Sequence, residues 1–396
     1  AVLNGRQMLD DGIGNLICGW MIHNKDGSPM KMGAWRPLAH ETVRYVGDAV
    51  AVVVADSLGE ARDAAEAVIV DYDVLPAVTD AVKALETGQP QLHPEAPGNL
   101  IFDWEIGDST ATDAALAAAA HVTEMKIVNN RLAPNAMEPR AALGIYDSAE
   151  DHYTCYTTSQ NPHVARLVMS AFYNVAPENK LRVIAPDVGG GFGSKIFIYP
   201  EEIVCLWASK RAGVPVKWTA DRTEAFLTDA HGRDHVSTVK MAFDANNRVT
   251  ALKVDTIANF GAYMSLFSSA VPTYLYATLL SGQYAFPAIH ANVRAVYTNT
   301  VAVDAYRGAG RPEATYLLER TMETAARELG VSPAELRRIN FIRSFPHQTP
   351  VIMNYDAGDY EASLEAAMAA ADWNGFPARK AEAASRGMKR GIGMSC

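Results

Sequence analysis

The feature that most restricts this chain is Gly189-Gly190-Gly191-Phe192-Gly193-Ser194-Lys195, with four glycines in five positions. An apolar run, LRVIAPDV, precedes it and reads as a strand, and a helical pattern follows. Glycines at this density let the backbone approach something large and accept positive φ. Successive N–H groups exposed in this way face an anion or an oxo group. The spacing excludes both common phosphate loops. A P-loop needs its second glycine where Ser194 stands, and no register supplies G-x-G-x-x-G. A tight structural turn is the alternative reading.

At about 150 residues per domain, 396 residues correspond to roughly two to three domains with a sizeable core. An apolar fraction of 49% with 20% charged residues excludes a disordered tail, a collagen-like fibre and a mucin-like stalk. No apolar run of about 18 residues is present, so no spanning helix is expected. The formal net charge of −10 argues against a nucleic-acid groove as the main function. Cys18, Cys155, Cys205 and Cys396 form no C-x-x-C pair, which excludes a locally held iron–sulfur cluster or four-thiolate zinc.

Patterning along the chain points to an α+β (mixed α/β) fold in more than one domain. Residues 43–55, VRYVGDAVAVVVA, read as a strand buried on both faces. Ser57 then caps a helix, and AVIVDYDVLP follows as a second strand, a βαβ-type unit. Pro90, Pro94 and Pro97 lie in an irregular stretch that reads as an interdomain linker, placed at 91–109, or as a long surface loop. Strands are expected at 121–130, 139–147 and 153–158. Helices are expected at 112–120, 162–173, 200–212, 312–329, 333–342 and 359–372. Segments 235–244 and 249–259 flank Ala-Asn-Asn as a β-hairpin. The chain begins AVLNGRQ, without an initiator Met, and ends RGIGMSC, which reads as the approach to a strand. A fragment of a longer protein is expected.

Three further loops carry polar chemistry. Ala305-Tyr306-Arg307-Gly308-Ala309-Gly310-Arg311-Pro312-Glu313 sets two arginines in a glycine-rich segment before a helix that Pro312 can start. Guanidiniums there suit an oxyanion or a polarised substrate, or they are solvated charges in an ordinary loop. Ala136-Met137-Glu138-Pro139-Arg140 places a charge pair beside a proline, as a buried ion pair or a structural salt bridge. Thr157-Thr158-Ser159-Gln160-Asn161-Pro162-His163 joins a strand to a helix, where Gln160 either contacts a cofactor or belongs to a helix cap. His231 and His235 are spaced i, i+4 but lack the Glu of H-E-x-x-H. No G-x-S-x-G elbow and no paired carboxylates appear.

Taken in order, RLAPNAMEPRA, TTSQNPH, GGGFGSK and AYRGAGRPEA resemble the molybdopterin-binding large subunit of molybdenum hydroxylases, the xanthine dehydrogenase and aldehyde oxidase family. The segment RYVGDAVAVVVADSLGEARDAAEAVIVDYDVLPAV is similar to that family's α/β hammerhead domain. The likeness covers nearly the whole chain. It is strongest to bacterial large subunits similar to aerobic carbon monoxide dehydrogenase. The resemblance implies a hammerhead domain over 1–90, a first cofactor-binding domain over 110–375, and the start of a second over 376–396.

It also implies a cytoplasmic oxidoreductase that hydroxylates an sp² carbon with water as the oxygen source. The cofactor would be molybdopterin cytosine dinucleotide with molybdenum, the metal held by the pterin and not by protein ligands. A 2Fe-2S small subunit and an FAD-binding medium subunit would be partners, with a second molybdopterin subunit if the enzyme is split. By similarity, Gln160, Gly190, Gly191, Phe192, Gly193, Tyr306, Arg307 and Gly308 bind the cofactor. Arg307 would stabilise negative charge on the substrate, and Glu138, Ile196 and Ala309 would line the substrate pocket.

Three departures from the family pattern bear on substrate. Gly308 stands where carbon monoxide dehydrogenases carry a copper-binding cysteine. Ile196 replaces the glutamate that purine-oxidising members have after the lysine, and Ala309 replaces an aromatic. An aldehyde or a neutral N-heteroaromatic is therefore expected. Carbon monoxide oxidation and a non-catalytic, cofactor-carrying fragment are the alternatives. The catalytic Glu of the family is expected outside this chain.

Overall fold

The computed structural model describes residues 1–396. Strand β1 (Val2–Asn4) leads into helix α1 (Gly5–Asp10), which Asn4 and Gln7 cap reciprocally. β1 pairs antiparallel with β2 (Ala51–Val53). Ser57 then caps α2 (Leu58–Glu66) through a second capping box with Glu60.

The expected βαβ unit is not formed. Of residues 43–55 only the three of β2 are strand, and they are half-buried where burial on both faces was expected. The following run, AVIVDYDVLP, forms neither strand nor helix and has no sheet partner, and Ile69 and Val74 are 88% and 92% exposed. Valine and isoleucine favour extended backbone, but a strand also needs a neighbour for its N–H and C=O groups. These residues supply only the β1–β2 pair.

The stretch expected as a linker is also different. Residues 100–107 form β3 (Leu100–Gly107), an edge strand that buries Ile101, Phe102 and Trp104. The prolines upstream shape a packed turn. Buried Asn99 closes it, donating to Ala84 O and Pro90 O and accepting the Leu92 N–H. One side-chain amide thus satisfies three backbone groups that a solvent linker would leave to water.

After β3 come α3 (Ser109–Ala117), β4 (His121–Asn129), β5 (Ala141–Asp147), β6 (His152–Thr157), α4 (Pro162–Ala171) and β7 (Leu181–Ile184). Then follow α5 (Pro200–Ala212), β8 (Val216–Thr219), α6 (Arg222–Thr228), β9 (His235–Phe243), β10 (Val249–Asn259), β11 (Ile289–Val296), α7 (Arg311–Glu328) and α8 (Pro333–Asn340). The hairpin, the strands and the helices read from the sequence over 112–342 are present, with ends shifted by a few residues.

Two sheets organise the chain. The larger has the order β3-β11-β10-β9-β4, antiparallel except for the parallel pair β10–β11. The smaller has the order β7-β6-β5-β8, with β6–β7 parallel. Helix α5 is buried along most of its length, from Glu202 to Ser209, and packs on β5. Helix α7 packs on β4 of the larger sheet. One continuous apolar core spans both sheets and the N-terminal segment. The terminal RGIGMSC enters no sheet. Its backbone is held by side chains instead: Arg337 donates to Met394 O at 3.3 Å, and the Cys396 N–H donates to Glu319 at 2.9 Å.

Candidate functional site

The two loudest loops come from different sheets. The glycine-rich loop follows β7 of the smaller sheet and leads to α5. The Ala305–Gly310 loop follows β11 of the larger sheet and leads to α7. They meet directly, the Arg307 N–H donating to Phe192 O at 2.8 Å. A cleft of about 400 Å³ opens where they meet, lined by Gln160, Phe192, Gly193, Ile196, Ala305, Tyr306, Arg307, Gly308 and Ala309.

Glycine is required at particular points of this cradle. At Gly191 a Cβ would lie 2.2 Å from Gln160 Oε1. Gly193 has φ +96°, and a Cβ there would lie 2.6 Å from Ala305 O. Phe192, between them, holds φ +53° with a side chain in place. Such a conformation costs of order 1 kcal/mol and persists only when its surroundings enforce it. The enforcing bonds are visible: Ser194 N–H to Gly191 O, Ile196 N–H to Gly193 O, and Gly193 N–H to Gln160 Oε1.

Those bonds also decide which donors remain. The Gly193 N–H is spent on Gln160 at 2.9 Å, which fixes the amide so that its NH₂ is left to donate. The N–H groups of Phe192 and Gly308 donate to no group of the chain. Arg307 is exposed, and its guanidinium pairs with no carboxylate. The lining contains no acidic side chain. A cation, an amide and free backbone N–H groups, beside apolar Phe192, Ile196 and Ala309, suit an anionic group rich in oxygen.

Glu138, expected in the substrate pocket, does not line the cleft. Its carboxylate accepts the Gly189 N–H and the Lys195 ammonium, each at 2.8 Å. Burial alone would raise this carboxyl, but Lys195 and the Gly189 N–H outweigh it and hold the pKa below its ordinary value. Glu138 and Arg140 do not pair with each other. Arg140 is buried between Glu201 and Asp229, with its guanidinium 3.7 Å from the centre of the Tyr199 ring. Gly190 and Gly191 also stay out of the lining, Gly191 lying behind Gln160. Gly190 turns the chain with a φ of +97°, and a Cβ there would meet the Phe192 ring at 2.9 Å.

Sequence reasoning missed what lies behind the second loop. Arg233 is buried, pairs with Glu313 at 3.1 Å, and donates to the carbonyls of Tyr306 and Arg307 at 3.2 and 2.9 Å. The only signal in the sequence was two charged residues after Gly232, and nothing there identified their partners. Asp304 is fully buried just before the loop, and burial pushes its carboxyl up to about 7 despite the Phe267 and Ala305 N–H donors. His231 is lowered to about 4 by burial and by Arg131, and burial likewise lowers His235. In both, burial disfavours the charged imidazolium form. No group of three or more His, Cys, Asp or Glu is arranged to hold a metal ion.

Comparison with known proteins identifies the family. The family profile described as "Molybdopterin cofactor-binding domain" matches residues 92–341, and that described as "Aldehyde oxidase and xanthine dehydrogenase, a/b hammerhead domain" matches residues 12–76. The carbon monoxide dehydrogenase large chain of Hydrogenophaga pseudoflava is 37% identical over 91% of this chain and 48% of its own length. The nicotine 6-hydroxylase large subunit of Paenarthrobacter nicotinovorans is 34% identical over 90% of this chain and 45% of its own. The crystal structure of quinoline 2-oxidoreductase from Pseudomonas putida 86 superposes with a TM-score of 0.90 at 31% identity, covering 98% of this chain and 48% of that one. The chain thus spans about half the length of the relatives it matches. It belongs to the molybdopterin cofactor-binding family of aldehyde oxidases and xanthine dehydrogenases, with a hammerhead domain ahead of the cofactor-binding domain.

Proposed function

We propose that this chain belongs to the molybdopterin-binding part of a hydroxylase acting on an sp² carbon, with an aldehyde or a neutral N-heteroaromatic as substrate. The observation that carries the reading is the cleft between the two loops, which presents donors and no carboxylate. When bound, a molybdenum–pterin cofactor supplies the two-electron oxidation and takes its oxygen from water. The cofactor form we propose is the cytosine dinucleotide.

Gln160, the Gly191–Gly193 turn and the Tyr306–Gly308 turn would hold the group. Gln160 offers its NH₂, and Phe192 and Gly308 offer N–H donors. Arg307 would draw negative charge off the substrate as it develops. Ile196 and Ala309 supply an apolar wall that fits a flat, uncharged substrate. The general base is proposed to come from beyond these 396 residues. Iron–sulfur and flavin subunits are proposed as the partners that carry electrons away, in the cytoplasm.

Carbon monoxide oxidation is the second reading, favoured by the 37% identity to a carbon monoxide dehydrogenase large chain. Gly308 opposes it, because it has no thiolate to hold copper. The test is the molybdenum and acid-released nucleotide content of the native co-purified complex. About one molybdenum and one CMP per copy of this chain is expected. No molybdenum, in cells that make the cofactor, would overturn the reading. Turnover of carbon monoxide, with copper present, would select the second reading.

A further inference from the structure

The peptide between Arg307 and Gly308 has its two ends in different surroundings. Its carbonyl accepts from Arg233 Nη2 at 2.9 Å, and its N–H, on Gly308, donates to nothing in the chain. A trans peptide points its C=O and N–H in opposite directions. Whatever holds the carbonyl therefore aims the N–H. The preceding peptide is held in the same way. The Tyr306 carbonyl accepts from Arg233 Nη1 at 3.2 Å, while the Arg307 N–H crosses to Phe192 O at 2.8 Å.

We propose that Arg233, locked by Glu313, is the positioning residue that turns the Arg307–Gly308 peptide so that its N–H and the Arg307 guanidinium face the cleft. This role rests on the functional reading given above. Arg233 does not line the cleft and touches no reacting group.

Four observations support it. Arg233 and Glu313 side chains are 7% and 1% exposed, so the pair is not a surface ion pair that water replaces. The Arg233 guanidinium lies 5.0 Å from the centre of the Tyr306 ring, which fixes the loop from a third side. A Cβ on Gly232 would lie 2.4 Å from Tyr306 Cβ, so the segment bearing Arg233 is pressed against the loop. Arg233 and Asp234 themselves hold φ of +65° and +69°, and Gly308 and Ala309 hold +97° and +31°. Strained backbone stands on both sides of one guanidinium that bonds across it. Only a forked, planar donor reaches two successive carbonyls and a carboxylate together, a geometry the single ammonium of lysine does not reproduce.

The test uses the complete co-purified complex. Arg233→Met alone strands the buried Glu313 carboxylate, which can prevent folding. The informative variant is therefore Arg233→Met with Glu313→Leu, which removes both charges. Arg233→Lys is the conservative comparison. Three quantities are read: molybdenum per chain, kcat and KM for an accepted substrate, and backbone hydrogen exchange of the 304–310 segment. The double variant is expected to keep molybdenum within about twofold of wild type and to lose about tenfold or more in kcat. It is also expected to exchange the 304–310 amides about tenfold or more faster, with the five-stranded sheet unchanged. Arg233→Lys is expected to lie between the two. Wild-type exchange and wild-type kcat in the double variant would overturn the positioning role. A wild-type complex without molybdenum would overturn the functional reading, and this role with it. Faster exchange with kcat unchanged would make Arg233 structural only, and that too overturns the proposal.

Discussion

Gln160 Oε1 accepts the Gly193 N–H at 2.9 Å, tying the loop after β6 to the turn after β7 with one side-chain bond. The bond fixes the orientation of the amide, so any change there alters both the loop and the group it presents.

Gln160→Glu keeps the acceptor but replaces the free NH₂ with a second carboxylate oxygen, in a cleft that otherwise holds no acid. Molybdenum content is expected to fall about tenfold, since an anionic ligand meets a like charge. The melting temperature should stay within about 2 °C, because residue 160 is exposed. Metal analysis beside calorimetry separates the two effects, and full molybdenum loading would remove Gln160 from the cofactor site.

Gly193→Ala places a methyl group 2.6 Å from Ala305 O at a φ of +96°. A loss of about 1–3 kcal/mol in stability is expected from the strain, together with loss of cofactor. Denaturant titration of the variant reads the first and metal analysis the second. A neutral stability change would mean that the two loops yield more easily than their contacts indicate.

Arg307→Ala removes an exposed cation that pairs with nothing in the chain. Stability should change by no more than about 0.5 kcal/mol. Turnover in the complete enzyme is expected to fall about 10²-fold or more, with molybdenum content nearly unchanged. Steady-state kinetics at matched molybdenum loading check this, and equal turnover would end the role assigned to Arg307.

Glu202 on α5 is buried, and burial raises its carboxyl from the ordinary value of 4.5 to about 7, although Thr157 and the Tyr199 N–H stabilise the charge. Below pH 4.5 the group is protonated in both folded and unfolded chains and has no effect. Between 4.5 and 7 the unfolded chain ionises first, so stability falls as pH rises, and it levels off above 7. Glu202→Gln should flatten that decline by about 1–3 kcal/mol. Denaturation midpoints of the two proteins from pH 4.5 to 8 give the comparison, and parallel curves would refute it.

Elements were legible where periodicity and punctuation agreed. The α5 boundaries follow from Pro200 at its start and Gly213, in the left-handed region, at its end. The β9–β10 hairpin follows from alternation on both sides of Asn246-Asn247. Elements were misread where partner availability decided. Valine-rich 43–55 gained one short neighbour, whereas proline-flanked β3 gained β11. Of the cleft, the residues that face it were legible because glycine and arginine are conspicuous in a loop. Glu138 was misplaced because sequence shows its charge and not Lys195, 57 residues away. Arg233 stayed hidden for the same reason, its contacts lying 73 to 80 residues further on.

The backbone bond from Arg307 to Phe192 joins a loop of one sheet to a loop of the other. Each loop is braced within its own half, the first by Glu138 and Lys195 and the second by Arg233 and Glu313. The cleft is therefore bounded on one side by a loop of the four-stranded sheet and on the other by a loop of the five-stranded sheet, so its width follows from how the shared core seats the two sheets. Substitutions deep in the packing between those sheets, far from any lining residue, would reach the site as a change of aperture and not of chemistry.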